Sequence, residues 1–302
     1  MTVKKDAARG TWSFVIDLPP VAGKRQQMYR RGFATKKEAQ AAETHQLGEI
    51  ARGTFVRPAR VTLERFLVDE WLPAKVSTLK PSTAASYALM TNSYVVPFIG
   101  GAELSAVDGA MLNALYAKLL TEGRRGRSGE AGTGLSPKSV RNVHGMLHRA
   151  FKDAVRWRRV AVNPVDAADQ PRKLSPEMSV WTAEQIRRFV DHATGDRHAA
   201  VWRLFALTGM RRGEVLGLRW SDVDLDAARL SIRQTVVEMS TGIVVGTPKS
   251  SAGVRTIALD AATVSALRRW RRAQLEERML MGEGWQDDDD RVATEPDGSA
   301  VH

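Results

Sequence analysis

An elbow between two helices, in the second half of the sequence, constrains the fold more than any other stretch. Apolar residues recur at helical spacing up to Leu207, and Gly209 then supplies a residue that tolerates a positive φ angle, as a helix C-cap or a tight turn requires. A second helix follows at once, with Arg211 and Glu214 at its start. A positive charge at a helix N-terminus is unfavourable unless an anion binds there, and a phosphate would suit both the backbone N–H groups and the guanidinium. The elbow therefore predicts an arginine that binds phosphate.

The residues around the elbow form a longer pattern with several fixed residue types. Thr208-Gly209-Met210-Arg211 is followed by Glu214 and then by Leu218-Arg219-Trp220-Ser221-Asp222. This pattern resembles the first-arginine motif of the tyrosine recombinases, and specifically of the phage-type integrases. The resemblance implies that Arg211 is catalytic and that Glu214 holds or orients it. An amphipathic helix with a solvated arginine pair is the alternative interpretation.

The size and charge of the chain restrict the class of protein. The chain has 302 residues, which predicts two or three domains with cores of their own. Its net charge of +11 favours a polyanionic partner such as nucleic acid. The sequence contains no cysteine, which excludes disulfides and thiolate metal sites. It also lacks a run long enough to span a membrane and an apolar secretory signal, so a cytoplasmic protein without membrane contact is expected.

Residues 9–57 predict a small N-terminal domain, a sheet with one helix, and the resemblance given below implies that the sheet has three strands. Alternating residues from Trp12 to Ile16 favour a strand, and Thr35 and Glu38 form the capping box of a helix. The arrangement resembles the arm-type DNA-binding domain of phage integrases, in which such a sheet lies in the DNA major groove. The resemblance assigns DNA contacts to four basic residues, Lys24, Arg25, Arg30 and Arg31. A solvated sheet face is the alternative interpretation of these side chains.

Residues 61–160 predict a domain built from four helices, in which Pro73 and Pro97 are expected to end the first two. This unit resembles the core-binding (SAM-like) domain of the same family. Basic side chains that lie off the apolar face of the fourth helix can follow a phosphate backbone. We therefore assign DNA contacts to Lys138, Arg141, His148 and Lys152. For any one of them, an ordinary solvated helix face is an equal alternative.

Residues 161–179 predict a linker between domains. The stretch contains Pro164, Pro171 and Pro176 and has neither a helical nor a strand period. In the family that the chain resembles, such a linker wraps DNA between two domains that form a C-shaped clamp. That resemblance assigns DNA contacts to Arg172 and Lys173.

Residues 180–302 predict part of a mixed α/β catalytic domain, so that the whole chain is an α+β multidomain protein. After the elbow, the apolar period changes from helical to alternating and indicates three strands. The segment from Thr247 to Gly253 is expected to be the turn between the last two strands. In tyrosine recombinases a lysine on this hairpin turn is catalytic, and Lys249 matches it. A solvated turn lysine is the alternative interpretation.

The chemistry that the resemblance implies is phosphoryl transfer with no metal or other cofactor. A tyrosine hydroxyl attacks a DNA phosphate, which forms a 3′-phosphotyrosyl bond and releases a 5′ hydroxyl. Arg211 would stabilise the charge that develops on the phosphate, and Lys249 would protonate the leaving 5′ oxygen. His144 and His148 have the spacing of metal ligands on a helix, but no third ligand is evident, so no metal site is expected.

Two parts of the family's pattern are missing, the His-x-x-Arg-His block and a later tyrosine. The four tyrosines of the chain all precede the Arg211 motif and are Tyr29, Tyr87, Tyr94 and Tyr116. We therefore expect a truncated catalytic domain, and a chain that cannot cleave DNA by itself.

Three functions remain open at this point. The first is site-specific recombination and integration at attachment-type sites on double-stranded DNA, with a homo-oligomer on the DNA. The second is a non-catalytic DNA-binding protein that occupies recombination sites or regulates a complete integrase. The third is a general basic DNA-binding or transcription-regulating protein, in which Arg211 and Lys249 are incidental.

Overall fold

A computed structural model describes residues 3–7, 9–21, 24–51, 61–123, 134–172, 177–239, 242–248, 253–286 and 289–301. The chain divides into two compact units, Met1–Ser175 and Pro176–His302. The first contains a small sheet with one helix and then a helical bundle, and the second mixes helices and strands. This confirms the α+β class expected from the sequence, whereas the finer division at 9–57, 61–160, 161–179 and 180–302 stays a prediction. None of the helices in the described ranges is long and apolar enough to cross a membrane.

The N-terminal sheet is antiparallel, with its strands in the order β1-β2-β3. Its elements are β1 (Lys4–Asp6), β2 (Thr11–Val21), β3 (Lys24–Phe33) and the helix α1 (Lys36–Ala51). Phe14 and Ile16 on β2 pack against Ala39 of α1, so the helix covers one face of the sheet. The predicted capping box is present, because Thr35 Oγ1 accepts a bond from Glu38 N at 3.2 Å and Glu38 Oε2 accepts one from Thr35 N at 3.3 Å.

A helical bundle completes the first unit. Its segments are α2 (Leu63–Arg65), α3 (Leu72–Val76), α4 (Pro81–Met90), α5 (Val96–Ile99), α6 (Gly109–Glu122) and α7 (Pro137–Arg156). The N-cap residues of helices α6 and α7 are Asp108 and Ser136, whose side chains accept bonds from Met111 N and Ser139 N. The predicted apolar face of α7 is fully buried, and Phe66 and Trp71 meet it in the same core.

The expectation that Pro73 and Pro97 end their helices is wrong. A π-helical turn precedes each proline, Phe66–Trp71 and Thr91–Val95, and the chain continues as α-helix beyond it. A proline ring normally clashes with the carbonyl four residues earlier and leaves it without a donor. A π turn widens the backbone at that carbonyl and changes its partner, so the proline is accommodated. Among its described residues the bundle therefore keeps four helical rods, at residues 63–76, 81–99, 109–122 and 137–156.

A buried carboxylate ties the first rod to α7. Asp153 Oδ2 accepts hydrogen bonds from Trp71 Nε1 at 2.9 Å and from Lys75 Nζ at 2.6 Å, and Arg156 pairs with Oδ1 at 2.8 Å. Burial by itself would raise the pKa of Asp153, but the bonds from Lys75 and Trp71 outweigh it, so the pKa lies below its ordinary value. The carboxylate is therefore held in its charged form.

The second unit contains four helices and five strands among its described residues. They are α8 (Ala183–His192), α9 (Ala199–Thr208), α10 (Arg212–Leu216), β4 (Val223–Asp224), β5 (Arg229–Ile232), β6 (Thr235–Met239), β7 (Gly242–Gly246), β8 (Arg255–Ala258) and α11 (Ala261–Met281). Strands β4, β5 and β8 form one antiparallel sheet in that order, and β6 and β7 form a separate hairpin.

This strand pairing differs from the one expected. The segment from Thr247 to Gly253 was expected to join two strands that pair with each other. Instead, β7 pairs with β6, with Gly242 opposite Met239, whereas β8 pairs with β5 and places Ile257 opposite Leu230. That pairing places the half-buried side chain of Ile257 against the fully buried side chain of Leu230, in the core of the unit.

A segment beyond α11 returns to complete the core of the second unit. Val292 N donates to Leu218 O at 2.8 Å, and Val292 and Thr294 are fully buried. Gln274 on α11 joins the parts: it accepts a bond from Trp220 Nε1 at 2.6 Å and donates to Arg291 O at 2.9 Å and Thr294 Oγ1 at 2.7 Å. The C-terminal side of the elbow is therefore fixed by residues far along the chain.

Candidate nucleic-acid interface

The Arg211 elbow has the backbone that the sequence predicts. Helix α9 ends at Thr208, Gly209 adopts a left-handed conformation with φ of 62°, and α10 begins directly after Arg211. Met210 is buried and anchors the turn in the core of the unit. Arg211 is consequently the N-cap residue of a short helix, with an extended backbone and its side chain outside the core.

A buried carboxylate holds this arginine in place. Glu214 is 3% exposed; its Oε2 accepts from Arg211 N at 2.9 Å and its Oε1 from Arg211 Nη1 at 2.8 Å. Arg255, the first residue of β8, donates Nη2 to Oε2 at 2.9 Å and Nη1 to Oε1 at 3.3 Å. The Arg211 side chain stays 71% exposed, so its guanidinium presents further N–H donors where a phosphate can accept them.

The charges of this cluster leave one positive charge in excess. Burial raises the pKa of Glu214, but hydrogen bonds from Arg255 and from Arg211 outweigh burial and bring the pKa below its ordinary value. The carboxylate is thus ionised at neutral pH and balances one of the two guanidinium groups. An anion that binds at Arg211 would neutralise the remaining charge.

Two glycines allow α10 to lie directly against the backbone of β6. A Cβ atom on Gly213 would lie 2.4 Å from Val236 O and 2.5 Å from Thr235 Oγ1, and one on Gly217 would lie 3.2 Å from Val236 N. The β6–β7 hairpin therefore supports the helix that carries Glu214. We did not assign this role from the sequence, although the Gly-x-x-x-Gly spacing on one helix face was visible in it.

Comparisons with known proteins agree with this arrangement. The profile described as the arm DNA-binding domain matches residues 2–50, and that of the phage integrase family matches residues 179–280. A tyrosine recombinase XerC-like protein of Caldanaerobacter subterraneus subsp. tengcongensis is 26% identical over 265 residues, which are 82% of this chain and 65% of the relative. The ICEBs1 integrase of Bacillus subtilis is 30% identical over 146 residues, which are 48% of this chain and 40% of the relative.

The chain belongs to the tyrosine recombinase family.

Solved structures show the same fold. The Tn1549 transposon integrase, in complex with a circular intermediate DNA, matches with a TM-score of 0.63 at 18% identity, over 80% of this chain and 73% of that one. A λ integrase tetramer bound to a Holliday junction matches with a TM-score of 0.52 at 17% identity, over 100% of this chain and 76% of that one. The N-terminal sheet, helical core and partial α/β region thus form a tyrosine recombinase fold. The chain spans 65% and 40% of the length of the two curated relatives.

Three of the predicted basic residues of this tyrosine recombinase have side chains outside the description of the structure. Lys173 and Lys249 lie outside the described residues, and Lys24 is in β3 but its side chain is not described. The residues that flank the Lys249 segment pack together, because Pro248 is buried and a Cβ atom on Gly253 would lie 2.6 Å from the Pro248 ring. The catalytic role of Lys249 stays a prediction.

The arm sheet of the tyrosine recombinase separates the predicted basic residues between its two faces. Since opposite residues of paired strands share a face, Arg31 lies with Ser13 on the open face, and Arg30 lies with Phe14 on the face that α1 covers. The Arg31 guanidinium lies over the ring of Tyr29, 5.3 Å from its centroid. The open face therefore presents an aromatic ring and a guanidinium side by side.

An ion pair on the same open face fixes a third basic residue. Arg25 donates Nε and Nη2 to the two carboxylate oxygens of Asp17, each at 3.0 Å, and Gln27 Nε2 donates to Asp17 Oδ1 at 3.0 Å. The bonds to Arg25 and Gln27 lower the pKa of Asp17. Both ends of the open face thus carry planar donor groups of the kind that read base edges.

On α7 the predicted DNA contacts fall into two groups. Lys138 and Lys152 are exposed. Arg141 Nη1 instead donates to Pro171 O at 2.8 Å, and His148 Nε2 lies 3.0 Å from Asp166 Oδ1. These two residues hold residues 163–172, here called the strap, against the helix.

Further polar contacts fix the strap to the bundle. Asn113 Nδ2 donates to Asp169 Oδ2 and Asn113 Oδ1 accepts from Asp169 N, both at 2.8 Å, and Asn163 Nδ2 donates to His148 O at 3.2 Å. Part of the predicted linker is thus docked on the bundle as far as Pro171, and Arg172 is exposed where the strap ends.

His144 is not part of an open basic face. Its Nδ1 lies 3.1 Å from the hydroxyl of Tyr116, which is buried. Burial lowers the pKa of His144, and the nearby charges of His148 and Arg141 lower it further, whereas burial raises the pKa of Tyr116. The two side chains therefore form a neutral hydrogen-bonded pair. In the part of the chain that the structure describes, no cluster of three or more His, Asp or Glu side chains could hold a metal ion.

Proposed function

We propose that the chain is part of a phage-type tyrosine integrase that carries out site-specific recombination of double-stranded DNA. The observation that carries this proposal is the elbow, where buried Glu214 holds the exposed guanidinium of Arg211 at the start of α10. Relatives named as integrases and recombinases support it, as do the Tn1549 and λ integrases, whose structures contain DNA. We also propose assembly on DNA as a homo-oligomer, and a cytoplasmic location with access to the DNA of a bacterial cell.

The reaction that we propose is exchange of a phosphodiester bond. A tyrosine hydroxyl gives up its proton to solvent and its oxygen forms a bond to phosphorus, while the bond from phosphorus to the 5′ oxygen breaks. Arg211 donates N–H bonds to the non-bridging oxygens, whose negative charge grows in the transition state. Lys249 transfers its ammonium proton to the leaving 5′ oxygen. Glu214 touches Arg211 and not the phosphate, so its part is to orient the guanidinium.

We propose that the 302 residues alone do not cleave DNA. All four tyrosines lie in the first unit, away from Arg211 in sequence. Tyr87 stacks on Trp71 with ring centroids 5.4 Å apart, and Tyr116 is buried against His144. Both are therefore packing residues, which supports the proposal that the chain by itself does not supply the nucleophile.

The DNA surfaces that we propose follow from exposure and charge. Exposed contacts are assigned to Arg31 in the arm sheet, Lys138 and Lys152 on α7, and Arg172 at the end of the strap. The predicted contacts of Lys24, Arg25, Arg30 and Lys173 are kept as part of the same proposal. Arg141 and His148 are held by the strap, so we propose that they affect DNA binding through its position.

Selection of bound duplexes from a random-sequence pool tests the proposal. Each phosphate of the selected duplex would then be replaced in turn by a neutral methylphosphonate. We expect one position at which neutralisation weakens binding of the wild-type chain about tenfold or more, as for a charge-assisted hydrogen bond, and leaves binding of Arg211→Ala unchanged. Arg212→Ala, which removes the adjacent exposed charge, is the matched control and should behave as wild type. Binding without sequence preference, or without any such position, would contradict the proposal.

A non-catalytic DNA-binding protein is the second candidate, and the absence of tyrosine from the second unit favours it for this chain taken alone. Incubation with the selected duplex followed by denaturing electrophoresis tests whether any tyrosine of this chain forms a covalent bond to DNA. Tight, sequence-specific binding without a covalent protein–DNA adduct fits both the proposed fragment of an integrase and a site-occupying protein. A covalent adduct would show that one of the four tyrosines can act as the nucleophile.

A further inference from the structure

Arg255 is an additional charged residue of the elbow, and it comes from a different element. It opens β8, opposite Ile232 in the sheet, and it reaches Glu214 across 41 positions of sequence. Its side chain is 32% exposed, much less than that of Arg211. Arg255 is therefore a partly buried arginine whose guanidinium is directed at the carboxylate that holds Arg211.

The bonds of Glu214 are shared evenly between the two arginines. Oε1 accepts one N–H from the Arg211 side chain and one from Arg255, and Oε2 accepts the Arg211 backbone N–H and a second N–H from Arg255. A two-pronged contact of this kind fixes the plane of a carboxylate as well as its position. Without Arg255, each oxygen of Glu214 would keep one bond, to Arg211, and would lose the second bond that comes from β8.

Arg255 also contacts the residues that border the Lys249 segment. Its Nη1 lies 3.4 Å from Gly253 O, and Gly253 packs against Pro248 on the other side of the segment. The flanks of residues 249–252 are therefore held together next to the residue that fixes Glu214. One set of contacts leads from these flanks through Arg255 and Glu214 to Arg211.

We propose that Arg255 is a positioning residue that fixes Glu214, and through it Arg211, for one DNA phosphate, and that connects this orientation to the flanks of the Lys249 segment. The inference rests on the proposed function, since it names how the same phosphate site is kept in order. Arg255 reaches the phosphate only through Glu214 and Arg211. Loss of Arg255 should therefore reduce the preference for one particular phosphate more than it reduces the overall affinity for DNA.

The methylphosphonate duplexes described above measure this directly, with Arg255→Gln as the variant. We expect the loss of affinity on neutralising the critical phosphate to fall from about tenfold in wild type to about threefold or less, because a mobile Arg211 no longer selects that position. Arg255→Lys keeps the charge but not the two-pronged geometry, and should resemble Arg255→Gln. Arg233→Gln removes an exposed arginine just beyond the paired strand β5 and should keep the full effect.

The outcomes separate this inference from the function on which it rests. If wild type shows no critical phosphate, both are overturned. If wild type and Arg233→Gln show it, and both Arg255 variants keep it at full size, only the role of Arg255 is wrong. A uniform loss of affinity at every position in the Arg255 variants, with the ratio at the critical phosphate unchanged, would assign Arg255 to stability alone. Circular dichroism establishes that each variant is folded, and the lysine variant serves if the glutamine variant is not.

Discussion

Glu214 shows what a single buried charge can do at a surface site. A carboxylate removed from water is tolerated only when it is paired and hydrogen-bonded, and Glu214 meets that condition with bonds from two arginines. The same burial restricts the motion of the Glu214 side chain. The bonds from Glu214 therefore fix the orientation of the Arg211 guanidinium. An exposed glutamate in the same place would form a weaker and less directional pair.

We expect Glu214→Gln to lower the free energy of unfolding of the second unit by about 3 kcal/mol, because two guanidinium groups lose their common counter-charge. Urea unfolding followed by tryptophan fluorescence measures the change. Glu238→Gln is the matched control: Glu238 is exposed and pairs with Arg212 at 3.7 Å, so we expect a change of about 1 kcal/mol or less. Equal effects of the two substitutions would contradict the role of burial.

The pair of His144 and Tyr116 predicts how the first unit responds to pH. Burial and the charges of His148 and Arg141 lower the pKa of His144, and Asp166 opposes them only in part. Folding therefore disfavours protonation of His144. The contribution of neutral His144 to the free energy of unfolding is fully present above the ordinary pKa of 6.5, and it is lost as the pH falls from there toward the lowered pKa. The loss is at most about 1.4 kcal/mol per pH unit.

His144→Gln should keep a hydrogen bond to Tyr116 but cannot take up a proton. We expect its free energy of unfolding to depend less on pH than that of wild type between pH 7.5 and 5.5, with the two proteins closest at the upper end. Urea titrations at the two pH values give the comparison. Equal slopes would mean that other groups cause the pH dependence.

Among the elements, α10 is the one whose position matters most, and its packing depends on having no side chain at one place. The backbone of β6 lies where a Cβ on Gly213 would be, and neither Val236 O nor the start of β6 can move without disturbing the hairpin. The short helix is thereby placed by its contact with a strand and not by its own length, which is five residues.

Gly213→Ala should therefore destabilise the second unit by about 1–3 kcal/mol, as expected for overpacking, and should displace the elbow. Gly145→Ala on α7 is the control, since no described heavy atom lies within 4 Å of the added Cβ. The control should stabilise the first unit by about 0.5–1 kcal/mol through helix propensity. Thermal unfolding measures both effects. A stabilising effect of Gly213→Ala would contradict the prediction, because it would show that the backbone of β6 moves to accommodate the added Cβ at little cost.

The elements also show where reading a sequence succeeds and where it stops. The capping residues Thr182 and Asp260 and the positive φ of Gly209 were predictable because each depends on a few neighbouring residues. Arg141 was assigned to DNA from its place on a polar helix face, and that pattern cannot show that Pro171 O comes back to it. For the same reason, the contact of Arg255 with Glu214 had no local signal.

At the scale of the whole molecule, the basic charge should make DNA binding strongly dependent on salt. The basic residues that we propose as DNA contacts are Lys24, Arg25, Arg30, Arg31, Lys138, Lys152, Arg172, Lys173 and Arg211, and a set of this size supplies about six or more phosphate contacts. Contacts in that number predict a loss of affinity of about 10³-fold between 50 and 200 mM salt. Fluorescence anisotropy with a labelled duplex measures the slope of log affinity against log salt.

The double substitution of Lys138 and Lys152 by glutamine should reduce that slope by about 2, one unit for each lost phosphate contact. Arg229→Gln removes an exposed arginine that pairs with Asp224 in the sheet of the second unit, and should leave the slope nearly unchanged. A slope near zero in wild type would contradict a polyanionic partner, and equal slopes in all three proteins would contradict the assignment to α7.

The return of the chain beyond α11 to the elbow has a consequence for synthesis on the ribosome. Residues 292–294 fill the core beside Leu218 and are bonded to Gln274, so the second unit cannot close until they have left the exit tunnel. At a synthesis rate of roughly 5–20 residues per second, the second unit can fold around the elbow only on the order of ten seconds after Arg211 is made. During that interval its apolar neighbours are open to chaperones, and a nascent chain stalled within α11 should be a chaperone client.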